Sequence, residues 1–214
     1  MQRDFPAVHI YEFSRLVSAP AGSWLRILRR LEEDRPWISR YYEPLRVGAV
    51  ALCRPNAKSF DSVRAMVERL ARTVKAAPHQ DPVTDNLRAF DCFASVFRPQ
   101  VGEFVRDFLA SSNPLTIFEG IALKGAPHMQ VRDLKKRNRF VFLYASNWEE
   151  SELRAYLELL TIVIEDKYRG KASDLWCMNL RDGELVEWKK SAKLIRRSCV
   201  EAAQLSDDGS VEAV

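Results

Sequence analysis

Between Phe60 and Leu109 apolar side chains return every three or four positions, whereas from Leu115 to Trp188 they fall in short alternating or continuous runs. The first spacing paints one stripe of a helix and the second suits strands. After an extended opening from Val8 to Phe13, Ser23 is placed to cap a helix carrying Trp24, Leu25, Ile27, Leu28 and Leu31. Pro36 and Pro44 mark a loop, and Val47 to Cys53 reads as a short buried strand. Phe60, Val63, Met66, Val67, Leu70 and Val74 predict a clear helix that ends before the loop 78–82. Asp85 caps a third helix through Leu87, Phe90, Phe93, Ala94 and Phe97, which Pro99 breaks. A fourth helix is expected through Val101, Phe104, Val105, Phe108 and Leu109, closed by the cluster 111–114. The phenylalanines fall on the inward stripe, which assigns them to core packing rather than to base stacking.

From Leu115 the pattern changes. Leu115 to Leu123 is strand-like, His128 to Leu134 alternates, and Phe140 to Tyr144 suits a central strand buried on both faces. Ser146 or Asn147 then opens a long helix, with Glu149 and Glu150 in its first turn and Lys167 and Arg169 at its end, as the dipole favours. Gly170 is expected at its C-terminal cap. Leu175 to Leu180 and Leu185 to Trp188 pair across an Asp182–Gly183 turn, and a basic helix from Ser191 to Leu205 follows. The expected fold is α/β (α+β): a central mixed sheet of four to five strands with flanking helices and a helical N-terminal half. Residues 1–114 form that helical region, 115–205 the α/β core, and 206–214 a fraying tail, all within one structural domain.

The chain has 214 residues, 47% hydrophobic and 29% charged, enough to bury a full core. No run approaches the roughly 18 apolar residues of a membrane span, and the N-terminus lacks the apolar stretch of a signal peptide. A cytoplasmic protein without a membrane partner is expected. Cys53, Cys92, Cys177 and Cys199 are scattered, which suits reduced thiols and excludes a structural zinc site. The phosphate-loop, dinucleotide-binding and nucleophile-elbow motifs are all missing.

The net charge of +4 permits nucleic-acid contact without demanding it. Its distribution says more. Lys135, Lys136, Arg137 and Arg139 cluster around a turn, and Lys190, Lys193, Arg196 and Arg197 cluster in the last expected helix. Both groups are candidate phosphate contacts, giving salt-sensitive affinity that is indifferent to sequence.

A meander of three strands, a crossover helix and a fourth strand, here Leu115 to Trp188, resembles the core of the restriction-endonuclease-like (PD-(D/E)xK) nucleases, including their RecB-type branch. In that family an Asp opens the second strand, and an acid–x–Lys triplet on the third completes a magnesium site. Here Gly125–Ala126–Pro127–His128 opens the second strand, so His128 stands for the Asp. The third runs Phe142 to Asn147, with Leu143 for the acid and Ala145 for the lysine. Glu152 to Tyr156 is similar to the Gln-x-x-x-Tyr of the RecB-type branch, with Glu for Gln. Leu and Ala offer no oxygen to a hard cation.

The resemblance therefore implies a nuclease-like module with a degenerate active site and no cofactor, binding a DNA or RNA backbone or a protein partner. The alternative is an active magnesium-dependent nuclease with relocated ligands among Glu119, His128 and Asp133, with Glu103 as a further helical acid. His128 and Asp133 are an odd number of residues apart, which places them on opposite faces of a regular strand. A third possibility is a protein–protein module docking through an exposed edge of the Trp176–Trp188 hairpin.

Overall fold

Phe140, Val141, Phe142 and Leu143 are all buried, so the strand they form is covered on both faces. The computed structural model describes residues 8–19, 41–108, 115–118, 121–145, 148–189 and 193–198. Among these, the first elements are β1 (Val8–His9), α1 (Ile10–Ser18), α2 (Glu43–Cys53), α3 (Phe60–Ala71) and α4 (Pro82–Cys92). A π turn (Phe93–Phe97) and a 3-10 turn (Arg98–Gln100) carry α4 into β2 (Val101–Asp107). Then come β3 (Leu115–Phe118), β4 (Ile121–Lys124), β5 (Met129–Asp133) and β6 (Asn138–Tyr144). The long helix α5 (Glu150–Tyr168) leads to β7 (Leu175–Asn179), β8 (Glu184–Lys189) and β9 (Lys193–Ser198).

Six strands form one mixed sheet in the order β2-β5-β6-β7-β8-β9, and β1-β4-β3 form a smaller one. Only the β6–β7 pair is parallel in the large sheet, with α5 as its crossover. Alternation sends Val141, Leu143, Trp176, Met178 and Leu185 to one core, shared with α2, α3 and α4. Phe140, Phe142, Leu175, Cys177 and Val186 face the other core, shared with α1 and α5. Burial of each large apolar side chain contributes about 1.5–3 kcal/mol, so the two cores together hold the sheet between helical layers. Phe90, Phe93 and Phe97 are fully buried in the first core. Cys53 and Cys177 are buried thiols, and burial pushes that of Cys53 up to about 12.

Several expectations are corrected. Val47 to Cys53 is not a strand but the end of α2, because Gly48 lets its backbone close on α3. A Cβ on Gly48 would lie 2.3 Å from Val67. The segment from Val101 is not a helix but β2, an edge strand of the large sheet. Its pairing with β5 is interrupted by irregularities between Val101 and Glu103 and between Phe104 and Arg106. Each bulge adds a residue, so Val101, Phe104 and Asp107 turn inward at steps of three and imitate a helical stripe. Residues before 114 thus share a sheet with those after it. Leu115 to Leu123 is not one strand of the large sheet; β3 and β4 pair with each other, and β1 runs parallel to β4. The last basic segment forms β9 rather than a helix, and it covers β8, so the Trp176–Trp188 hairpin is not an exposed edge. The cap of α4 is Asp81, whose carboxylate accepts the Val83 and Thr84 N–H groups, with Asp85 one turn inside. At the end of α5 the left-handed residue is Arg169 (φ 53°), not Gly170. The expected helix after Ser23, the positions Ser146, Asn147 and Cys199, and the tail 206–214 lie outside the described residues. No helix among the described residues is long and apolar enough to cross a membrane.

Candidate nucleic-acid interface

The β5–β6 hairpin turns over residues 134–137, and Asp133 builds the turn. Its Oδ1 accepts the Lys135 and Arg137 N–H groups, each at 2.9 Å, while its own N–H donates to the Arg137 carbonyl. Lys136 takes a left-handed conformation (φ 58°) to close the loop. Leu134, Lys135, Lys136 and Arg137 are all exposed. The Arg137 guanidinium donates to Asp133 Oδ2 at 2.8 Å but remains largely solvated.

Arg139 is different. It is only 5% exposed. Its Nε donates to Asp133 Oδ2 at 3.0 Å, another nitrogen donates to the Ser173 carbonyl at 2.6 Å, and the guanidinium lies 5.1 Å from the Trp176 ring centre. It ties the hairpin to the start of β7 and offers nothing to a phosphate, which corrects its place among the candidate contacts. Burial pushes the Asp133 carboxyl up, but the Arg137 N–H and the Arg139 and Arg137 guanidiniums outweigh it and hold the group below its ordinary value. Asp133 is therefore a turn-building ion-pair residue with both oxygens engaged.

The topology collects further cations at this end of the sheet. Phe140 is level with Leu175, so the hairpin tip lies beside the start of β7 and the end of α5. Arg169 and Lys171 arrive there, both exposed. Lys189 pairs with Lys193 in register, which puts the β8–β9 connection at the same end. Lys190 lies outside the described residues, and Arg196 and Arg197 stand further along β9, level with Val186 and Leu185. Four strand spacings separate β5 from β9, about 19 Å. Among the described residues the side chains of Lys135, Lys136, Arg169 and Lys171 form no ion pair, although the Lys135 and Lys171 backbone N–H groups donate to the Asp133 and Asp174 carboxylates. Arg169 and Lys171 were missed as contacts because they are distant from the turn in sequence; only the register of β6 with β7 brings them to it.

The opposite end of the sheet holds the positions that the nuclease resemblance singles out. His128 donates its N–H to the Val141 carbonyl at 2.8 Å, and its Nδ1 accepts the Leu143 N–H at 2.9 Å. Burial, assisted by the nearby Arg46 charge, lowers its pKa well below the ordinary histidine value. The ring is neutral, with its proton on Nε2 and Nδ1 filling a gap in the strand ladder. Leu143 is buried against the first core, and the Ala145 carbonyl accepts the Tyr42 hydroxyl at 3.4 Å. His128 and Asp133 stand at opposite ends of β5, about 17 Å apart along the strand. Glu119 lies outside the described residues. Glu103 is on β2, not a helix, and pairs with Arg132 at 2.7 Å on the surface. Among the described residues no group of three His, Cys, Asp or Glu side chains is arranged to hold a metal ion. The residues at 143 and 145 do not fit magnesium, since neither side chain carries an oxygen.

No protein-family model matches the chain, and no curated protein matches it.

Proposed function

We propose that the chain is a non-catalytic, nuclease-like module that binds the phosphate backbone of nucleic acid through the basic end of its six-stranded sheet. The observation that carries this reading is the convergence of Lys135, Lys136, Arg169 and Lys171 from two separate connections, where among the described residues none of these four side chains is tied up in an ion pair. Exposed cations whose side chains form no ion pair, carried on hairpin and helix ends, suit a polyanion, because each phosphate neutralised releases condensed counterions. The two connections lie within two strand spacings, about 10 Å, which covers roughly three phosphates of one strand at 3.4 Å each along the duplex axis. The order of antiparallel β5–β6, crossover α5 and parallel β7 supports the nuclease-like part of the reading.

The test is fluorescence anisotropy with labelled duplex and single-stranded DNA across a salt series. Log affinity for duplex should fall with log salt, and replacing Lys135 and Lys136 together by Ala should flatten the slope by about 0.9 per lost contact. Binding undetectable at low salt, or a slope unchanged by the substitutions, refutes the proposal. Plasmid incubated with magnesium or manganese should remain intact, and metal-dependent cleavage abolished by substitution of Glu119 would replace this reading with an enzymatic one.

A further inference from the structure

The face of α3 that carries Ser62, Ala65, Met66 and Arg69 follows the spacing i, i+3, i+4, i+7 and forms one wall of a surface pocket of about 430 Å³. The other wall is the end of α2, with Ala51 and Arg54, and the loop bearing Ala57 and Lys58. Ala51 on α2, Ala65 on α3 and Ala57 in the loop carry side chains too short to fill the space between the walls. Its floor is apolar and its rim is cationic. Arg54 is held by Asp107 at 2.6 Å, but Lys58 and Arg69 have no carboxylate partner among the described residues. Among the described residues no acidic side chain lines the pocket.

We propose that this pocket binds a small phosphomonoester, its phosphate between Lys58 and Arg69 and its neutral body against Ala51, Ala57 and Ala65. Two cations facing one cavity without a counter-charge repel each other, and a dianionic phosphate between them removes that repulsion. Arg69 brings a planar fork of donors that can engage two phosphate oxygens, while Lys58 adds a point charge. The volume lies within the range of small-molecule sites and is far too small for a duplex. The site is separate from the basic end of the sheet. Arg54 contacts Asp107 at the far end of β2, about 20 Å from the β5–β6 turn beside Val101. This inference does not rest on nucleic-acid binding.

The experiment is calorimetric titration of the full-length chain with a hexose phosphate, inorganic phosphate and succinate at matched ionic strength. Saturable binding of the hexose phosphate with a dissociation constant at or below about 1 mM is expected, with inorganic phosphate weaker and succinate weakest. Lys58→Gln and Arg69→Gln should each weaken the hexose phosphate about tenfold. Ala65→Leu keeps every charge but fills the pocket, and should abolish binding of the hexose phosphate. Substitution of Lys135 and Lys136 should leave it unchanged. Equal responses to succinate and the hexose phosphate, no saturable heat, or full binding by the Ala65→Leu variant would each overturn the proposal. Because the DNA titration reads a different end of the molecule, either result can fail without the other.

Discussion

Asp133→Ala should destabilise the chain by about 3–5 kcal/mol, almost all of it through a residue that is not substituted. Removing the carboxylate leaves Arg139, 5% exposed, without its counter-ion, while the Ser173 carbonyl and the Trp176 ring cannot neutralise it. Arg137 contributes little to the loss, because its guanidinium is more than half exposed and water replaces the carboxylate there. The Lys135 and Arg137 N–H groups lose an acceptor too, but they sit in an exposed turn. Urea unfolding read by linear extrapolation measures the loss. Arg139→Met should cost less, since Asp133 keeps Arg137 and two backbone donors. The double variant Asp133→Ala, Arg139→Met should recover much of the single loss, because the stranded charge is gone. The pH dependence has a definite sign. A carboxyl held below its ordinary value of about 3.9 contributes its full stability above that pH and loses it as pH falls through the lower folded value. Asp133→Asn should abolish that acid-side loss. A cost under about 1 kcal/mol for Asp133→Ala would refute the ion-pair account and return Asp133 to the pool of available acids.

Asn86→Ala should cost about 3 kcal/mol by thermal or urea unfolding, because the buried amide accepts the Leu45 N–H and donates to the Tyr41 and Pro82 carbonyls. Gly170→Ala should cost about 1–3 kcal/mol, since the added Cβ would stand 2.4 Å from both Ile164 and Phe140. Lys136→Gly relieves a left-handed backbone while removing a charge, so stability should hold or rise by up to about 1 kcal/mol as DNA affinity falls. The His128 imidazole resonances should show no inflection near pH 6.5. Stability should decline as pH drops below that ordinary value, because the unfolded chain takes up the proton first.

How much of this was readable beforehand depends on whether a partner lies nearby in sequence. The helices α3 and α5 and the strands β5 to β8 announce themselves through local period and turn chemistry, as Gly183 at φ 69° after Asp182 illustrates. The failures have non-local causes. Bulges against β5 give β2 a period of three, so its stripe imitates a helix. Close packing on Val67 and Phe90 makes Gly48 a helix contact in a run that otherwise reads as a strand. Leu194 and Ile195, flanked by bases, suit an amphipathic helix until β8 supplies a ladder. At the candidate interface the turn was legible, yet Arg139 was indistinguishable from its neighbours. Its fate is set by Asp133 across the turn and by Ser173, 34 residues away.

The same contrast explains why the two ends of the sheet differ chemically. At the end holding His128, the chain completes its ladder with a neutral ring and buries Leu143 in the first core. A carboxylate at 143 would lose its hydration within that core, and a hard cation would find no second oxygen ligand at 145. At the other end, connections rather than strand interiors carry the charge, so the cations remain solvated and incur little desolvation cost. The one buried arginine among the described residues, Arg139, is matched by an acid and an aromatic face. A sheet built this way can present a rigid row of cations to a polyanion without distorting its core. Losses of DNA affinity on replacing Lys135, Lys136, Arg169 or Lys171 by Gln should therefore leave unfolding free energies within about 0.5 kcal/mol of the parent, unlike any change at Asp133 or Arg139.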